Sequence, residues 1–294
     1  MQAVTAHNLT KEYTPGVKAL DSVSFSLNAG EIFGFLGPNG AGKTTAVKLL
    51  AGMLTPTEGS CSVFGMDPSD QPERVHAVAG VLTEHAQMYD DMTGMQNLLF
   101  FGALFGLAES TARQRAASLL DRLHLADAGA KKLAAYSTGM RQRLSLARTM
   151  LHEPKILFLD EPTSGLDPES AKDVNDMIAQ LAREGGATVF LCTHQLRYAQ
   201  ELCTCYGLVD QGLLLAKGTL KELRRDVSPG MTLTVRTSDG MQEIHVSSED
   251  EIPEIVRDIV NRGGSVYHVS AHEPTLEELY FTLLERRREG RNAS

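Results

Sequence analysis

The sequence predicts an α/β protein with a mostly parallel core sheet, followed by a smaller α+β domain. Three observations carry this. Apolar runs of strand length alternate with helix-periodic segments from Val4 to Val209. A glycine-rich loop, Gly37-Pro38-Asn39-Gly40-Ala41-Gly42-Lys43-Thr44-Thr45, joins one such strand to one such helix. The alternation then breaks near Asp226-Val227-Ser228-Pro229-Gly230, where Pro-Gly signals a turn.

Each element has a local reason. Residues 4–9, 23–27 and 32–36 are short apolar runs and read as strands, and residues 43–51 read as a helix. Strands over 60–64 and 78–82 follow. From Thr93 to Leu133 the apolar positions Leu98, Phe101, Phe105, Leu119, Leu120 and Leu123 recur near the helical period. They predict an inserted helical subdomain, placed at about residues 93–150. Helices over 139–152, 168–183 and 196–202 alternate with strands over 156–160, 188–193 and 206–209. Beyond the Pro-Gly turn come strands over 232–236 and 243–246, a helix over 251–262, a strand over 265–269 and a helix over 275–288. The expected division is 1–226 and 227–294. The second part, about 65 residues long, sits near the lower limit for independent folding.

Composition narrows the function. The chain has 294 residues, 42% hydrophobic and 22% charged, which suits one large globular core and one small one. A net charge of −9 lacks the basic footprint of a nucleic-acid binder, so no nucleic-acid partner is expected. Met1 to Thr10 carry neither the basic flank nor the apolar core of an export leader. The longest near-apolar stretch, 95–108, is too short to span a bilayer and contains Gln96 and Asn97. Any membrane role would therefore come through a partner. Cys61, Cys192, Cys203 and Cys205 form no C-x-x-C pair and read as thiols of a reducing cytoplasm.

The glycine loop matches G-x-x-x-x-G-K-[ST], the phosphate-cradling loop of nucleotide hydrolases. A triphosphate concentrates negative charge, and side chains would block the backbone N–H groups that must converge on it. Gly37, Gly40 and Gly42 are expected to clear that space and to permit positive φ. Asn39, Ala41 and Thr45 complete the cradle at a helix N-terminus, whose dipole favours anions. Lys43 would reach the β- and γ-phosphates of ATP, and the Thr44 hydroxyl would ligate Mg²⁺.

Downstream, Ile156-Leu157-Phe158-Leu159 is an apolar strand ending in Asp160 and Glu161. Asp160, at the carboxyl edge of the sheet, is a candidate oxygen ligand for Mg²⁺. Glu161 extends beyond it and could orient or deprotonate the attacking water. Shortly before that strand, Tyr136-Ser137-Thr138-Gly139-Met140-Arg141-Gln142-Arg143-Leu144 places Ser137 as the cap of a helix with apolar positions Met140, Leu144, Ala147 and Leu151.

This last segment resembles the signature sequence of ATP-binding-cassette proteins, in a form common among exporter-type ATPases. The resemblance covers roughly residues 4–225. It implies a phosphate-loop cassette with an antiparallel β subdomain and a helical insert. It also implies that Ser137 and Gly139 hold the γ-phosphate of ATP bound to the opposite subunit. Ser164-Gly165-Leu166-Asp167 resembles the loop crossing the dimer interface, which brings Asp167 toward the nucleotide. His194 resembles the switch histidine of the catalytic site, and Tyr13 the aromatic that stacks on adenine. Where the family usually keeps a glutamine near Mg²⁺, this chain has Glu84, with Gln87 as the second candidate. The C-terminal domain resembles the accessory domain of drug-export ATPases, best at Glu273-Pro274-Thr275-Leu276-Glu277-Glu278-Leu279-Tyr280.

The expected protein is thus an ATPase motor subunit. Two cassettes, as a homodimer, would close around two ATP and drive a separate transmembrane permease from the cytoplasmic face of the membrane. The groove beside 84–97 and the apolar face over 98–105 are the expected contact with that permease, with helical-subdomain core as the equal alternative for Phe100, Phe101 and Phe105. The alternative function is a soluble ATP switch of the same superfamily.

Overall fold

The computed structural model describes residues 1–83 and 88–292. The chain opens with an antiparallel ribbon. β1 (Gln2–Thr14) and β2 (Val17–Asn28) pair around Gly16, whose φ of 83° makes the turn. β3 (Ile32–Leu36) differs from them in having all five residues buried. The glycine loop follows and leads into α1 (Lys43–Leu50). β4 (Glu58–Val63) returns to pair with β1 and completes a three-stranded sheet in the order β2-β1-β4.

A short α2 (Pro72–His76) leads to β5 (Ala79–Leu82). The helical insert is α3 (Gly94–Leu104) and α4 (Glu109–Arg122), packed on each other and on α5 (Thr138–Met150). A capping box starts α3: the Gln96 N–H donates to Thr93 Oγ1 at 3.1 Å, and the Thr93 N–H donates to Gln96 Oε1 at 2.8 Å. The chain then runs through β6 (Ile156–Asp160), α6 (Pro168–Gly185), β7 (Thr188–Thr193), α7 (Leu196–Leu202), β8 (Cys205–Asp210) and β9 (Leu213–Gly218). The main sheet is six-stranded in the order β5-β6-β7-β3-β8-β9, parallel from β5 through β8. β9 follows β8 after only Gln211 and Gly212, a link that permits only an antiparallel return.

β6 and β7, like β3, have no exposed residue, because the sheet is covered on both faces. Ala46, Val47, Leu49 and Leu50 of α1 share one core with Phe25 of β2, Phe33 and Phe35 of β3, and Phe190 of β7. Ring centroids of the contacting phenylalanines lie 5.5–5.6 Å apart and join the antiparallel sheet to the main one.

The remaining elements are α8 (Leu220–Val227), β10 (Met231–Thr237), β11 (Gly240–Val246), α9 (Ile252–Asn261), β12 (Val266–His272) and α10 (Leu276–Asn292). They build a three-stranded antiparallel sheet in the order β11-β10-β12. Its core of Met231, Leu233, Val235 and Val246 is covered by Ile252, Ile255 and Ile259 of α9. Contacts divide the chain into Met1–Lys217 and Gly218–Ser294. The division precedes α8, whereas the turn signal suggested residue 226. α8 groups with the second unit by packing on α10, where Arg286 Nη2 donates to the Val227 carbonyl at 2.7 Å. The Pro-Gly turn is the entry to β10.

Candidate nucleotide site

Parallel pairing brings the carboxyl ends of β3, β6 and β7 to one sheet edge. Leu36 stands beside Thr193, and Asp160 beside Cys192. The glycine loop, Asp160-Glu161 and Thr193-His194 therefore converge where open α/β sheets bind ligands. A cavity of about 360 Å³ lies there, lined by Asn39, Gly40, Gly42, Lys43, Thr44 and Glu161 among others. A larger cleft of about 680 Å³, between α4 and the end of α6, contains none of these groups. Convergent chemistry, not size, marks the smaller cavity as the site.

The loop owes its shape to its glycines, for two reasons. Gly40 and Gly42 have φ of 81° and 102°. A Cβ on Gly42 would also stand 2.3 Å from the Ala19 carbonyl oxygen. Gly37 is a correction to the sequence expectation, since it is not among the residues of positive φ. Its side chain is excluded by close approach, because a Cβ would meet the Val209 oxygen of β8 at 2.1 Å. Gly42 is the N-cap of α1 and offers no side-chain cap, which leaves the first-turn N–H groups for an anion.

Lys43 is 5% exposed at the floor of the cavity. Its Nζ donates to the carbonyls of Gly37 at 2.8 Å and Pro38 at 3.0 Å, and lies 3.2 Å from Glu161 Oε1. Glu161 has φ of 49°, an uncommon conformation for a residue with a Cβ. Its N–H donates to the Cys192 carbonyl at 2.9 Å. Its carboxylate accepts from Thr193 Oγ1 at 3.1 Å and lies 3.0 and 3.1 Å from His194 Nδ1. A carboxylate only accepts, so Nδ1 of His194 carries the proton in this contact. Asp160 is buried one residue earlier. Thr44 and Asp160 are hard oxygen donors beside a phosphate cradle, a set that fits Mg²⁺. The Tyr13 ring is 56% exposed, and its hydroxyl lies 3.3 Å from Thr45 Oγ1, beside the loop.

Ser137, Gly139 and Asp167 do not line this cavity. Ser137 caps α5, its Oγ accepting from the Met140 N–H at 3.3 Å. Asp167 caps α6 and accepts from Ser170 N at 3.0 Å and Ser170 Oγ at 2.7 Å. The backbone hydrogen bond from Ser170, then its hydroxyl, hold the Asp167 carboxyl below the ordinary range. The starts of the two helices are adjacent, since a Cβ on Gly139 would lie 3.5 Å from Ser170 Oγ. Both segments are surface features of the same unit.

Glu84 and Gln87 lie outside the described residues. Just beyond them, Phe100 and Phe101 are half-buried, whereas Tyr89, Leu104 and Phe105 are exposed. Tyr89 meets Phe100 edge-on at 4.9 Å, so a partly wet aromatic cluster caps this end of the insert. Two residues escaped the sequence reading, Thr193 at the Glu161 carboxylate and Asn97 inside the insert. A threonine in an apolar strand and an asparagine in a helix carry no periodic signal; the neighbouring His194 was the available pointer to Thr193.

A glycine loop under a helix N-terminus, a buried lysine and a strand-end Asp-Glu pair define a nucleoside-triphosphatase site. The chain belongs to the ABC transporter family and is an ATP-binding, ATP-hydrolysing cassette. The profile described as ABC transporter matches residues 20–164. The chain is 35% identical to "Daunorubicin resistance ATP-binding protein DrrA2" of Streptomyces coeruleorubidus, over 99% of this chain and 98% of the relative. It is 41% identical to "Doxorubicin resistance ATP-binding protein DrrA" of Mycobacterium tuberculosis, over 76% and 67% of the two chains. Among solved structures, one titled as the ATP-binding subunit of an ABC transporter is 29% identical, with a TM-score of 0.68 over 76% of this chain and 92% of that one. The cassette MJ0796, solved as a dimer bound to ADP and Pi, shares the fold at 24% identity and a TM-score of 0.66, over 74% and 98%.

Proposed function

We propose that this chain is the motor subunit of a drug exporter, in which two cassettes hydrolyse ATP with Mg²⁺ and drive a separate membrane permease. One observation carries the reading. Lys43, Thr44 and Glu161 line one cavity with Asp160 and His194 at its edge, while Ser137, Gly139 and Asp167 lie on the surface outside it. The first group supports a reading as one half of a hydrolytic site, and the exposure of the second supports its serving a second copy. The relative named for dimeric structure offers a precedent for such pairing.

The roles follow from the chemistry present. Lys43 neutralises phosphate charge at the cavity floor, and the α1 N-terminus adds its N–H groups. Thr44 and Asp160 hold Mg²⁺, which when bound offsets charge on the phosphate oxygens. Glu161 accepts a proton from water, and His194 serves as the switch histidine that contacts the γ-phosphate. Tyr13 stacks on adenine. From the partner copy, the free N–H groups of the α5 first turn, beside Ser137 and Gly139, meet the γ-phosphate, and Asp167 lies at the interface. The cluster of Tyr89, Phe100 and Phe101 is the contact with the permease. Among the described residues no helix is long and apolar enough to cross a membrane. A separate permease carries the cargo and holds the chain at the membrane's cytoplasmic face. The relatives' names, daunorubicin, doxorubicin and linearmycin resistance, support a toxic small molecule as cargo.

Purification from native membranes in mild detergent tests the reading. A polytopic membrane protein in equal amount is expected, with drug resistance lost in Lys43→Ala. Recovery of the chain alone from the soluble fraction, with resistance unaffected by Lys43→Ala, would overturn it.

A further inference from the structure

We propose that Thr193 is a positioning residue for ATP hydrolysis, its hydroxyl fixing the rotation of the Glu161 carboxylate and its carbonyl fixing the entry to the glycine loop. The proposal rests on the reading of Glu161 as the residue that accepts the proton of water.

Thr193 ends β7 and is 4% exposed. Its Oγ1 accepts from the Gln195 N–H at 3.1 Å and donates to Glu161 Oε2 at 3.1 Å. Both directions follow from the partners, because an N–H can only donate and a carboxylate can only accept, so the one hydroxyl proton goes to Glu161. The Thr193 carbonyl accepts from the Gly37 N–H at 3.3 Å, at the first residue of the loop. One residue earlier, the Cys192 carbonyl accepts the Glu161 N–H. The end of β7 thus holds the backbone of Glu161, its carboxylate and the loop mouth together.

Glu161 needs such a hold. The terminal torsion of a glutamate is broad and roughly two-fold, so buried packing alone does not orient it. Lys43 lies 3.2 Å from Oε1 and pulls on that oxygen. Thr193 binds the other oxygen, Oε2. With opposite partners on the two oxygens the carboxylate cannot swing wholly onto the lysine. His194 touches both oxygens and does not distinguish them.

The test uses the full-length protein with ATP and Mg²⁺. Thr193→Val keeps the volume and removes the hydroxyl, and Thr193→Ala removes it without adding bulk. Either variant that folds is expected to lose about tenfold in kcat, the size of one hydrogen bond to a charged group. KM for ATP and the affinity for a fluorescent ATP analogue should stay within about twofold, because Thr193 does not line the nucleotide cavity. Thr193→Ser is expected to recover most of kcat. Wild-type kcat in the hydroxyl-free variants, equal loss in Thr193→Ser, or nucleotide affinity falling in step with kcat would each overturn the proposal. Glu161→Gln, measured alongside, separates the premise: wild-type turnover there would remove Glu161 from its role, whatever Thr193 does.

Discussion

Asn97 is fully buried in α3, and every one of its polar contacts is to backbone. Its Oδ1 accepts from the Tyr89 N–H at 2.9 Å, and its Nδ2 donates to the carbonyls of Tyr89 at 3.0 Å and Thr93 at 3.1 Å. The side chain is the internal frame of the turn leading into α3. Asn97→Ala removes the acceptor of the Tyr89 N–H, while the Tyr89 and Thr93 carbonyls keep their backbone donors, and it is expected to cost about 1–3 kcal/mol, read as a lower urea midpoint at unchanged slope. At the loop, Gly42→Ala combines a φ of 102° with a 2.3 Å clash against backbone. It is expected to abolish ATP binding, measured by titration with a fluorescent analogue. These residues also show what a sequence makes legible. Lys43, Asp160 and Glu161 were readable because a phosphate demands fixed residue types at fixed spacing. Gly37 was readable as a glycine, but its reason, the nearby Val209 carbonyl, exists only after β8 pairs with β3. Asn97 was silent because its partners are backbone groups.

At the scale of elements, the long buried strands were legible and the short or ambiguous pieces were not. Ile156–Asp160 and Thr188–Thr193 are continuous apolar runs bounded by polar residues, and they form strands over those limits. β9 escaped because a short leucine run does not distinguish strand from helix, and α2 because five residues hold no period. The start of α10 yields a prediction about pH. Thr275 and Glu278 form a reciprocal cap, with Thr275 N donating to Glu278 Oε2 at 2.7 Å and Glu278 N donating to Thr275 Oγ1 at 3.3 Å. The backbone hydrogen bond from Thr275 chiefly, and then His272 with the Thr275 hydroxyl, hold the Glu278 carboxyl below its ordinary 4.5. A depressed carboxyl contributes stability above its unfolded value and loses it as pH falls through the folded one. Protein stability should therefore fall on acidification below about 4.5, with a shallower fall in Glu278→Gln. Thermal unfolding of the two proteins across pH 3–6, about the range that brackets this titration, checks it.

For the whole molecule, the ion pair between Asp90 and Arg141 joins two regions with different tasks. Arg141 Nη1 lies 2.6 Å from Asp90 Oδ1, tying the turn beside the aromatic cluster to the first turn of α5. If that turn meets the permease and α5 meets nucleotide, the pair is a mechanical link between them. Asp90→Lys is expected to leave basal ATPase within about twofold, since an exposed pair is worth little to stability, but to weaken stimulation by the permease. Restoration in Asp90→Lys with Arg141→Asp would show that the pairing itself matters. Pairing of cassettes has its own expectation: Glu161→Gln with ATP should run as a dimer on size exclusion, and Lys43→Ala as a monomer. The break in pattern reads as a boundary near residue 226, whereas α8 groups with Gly218–Ser294 through its packing on α10.

The sulfur inventory has a practical consequence. Cys61, Cys192 and Cys203 are buried thiols, and burial pushes their titration upward, Cys61 to about 12 and Cys192 well beyond its ordinary value. Thiolate is the reactive form, so all three should be inert to maleimides in the folded protein. Only Cys205 is partly accessible. Once it is replaced, a single cysteine installed at the exposed Ser137 would be the one reactive handle on the chain. A crosslinker from that handle to a second engineered thiol on the glycine loop would then report, turn by turn, when two copies face each other.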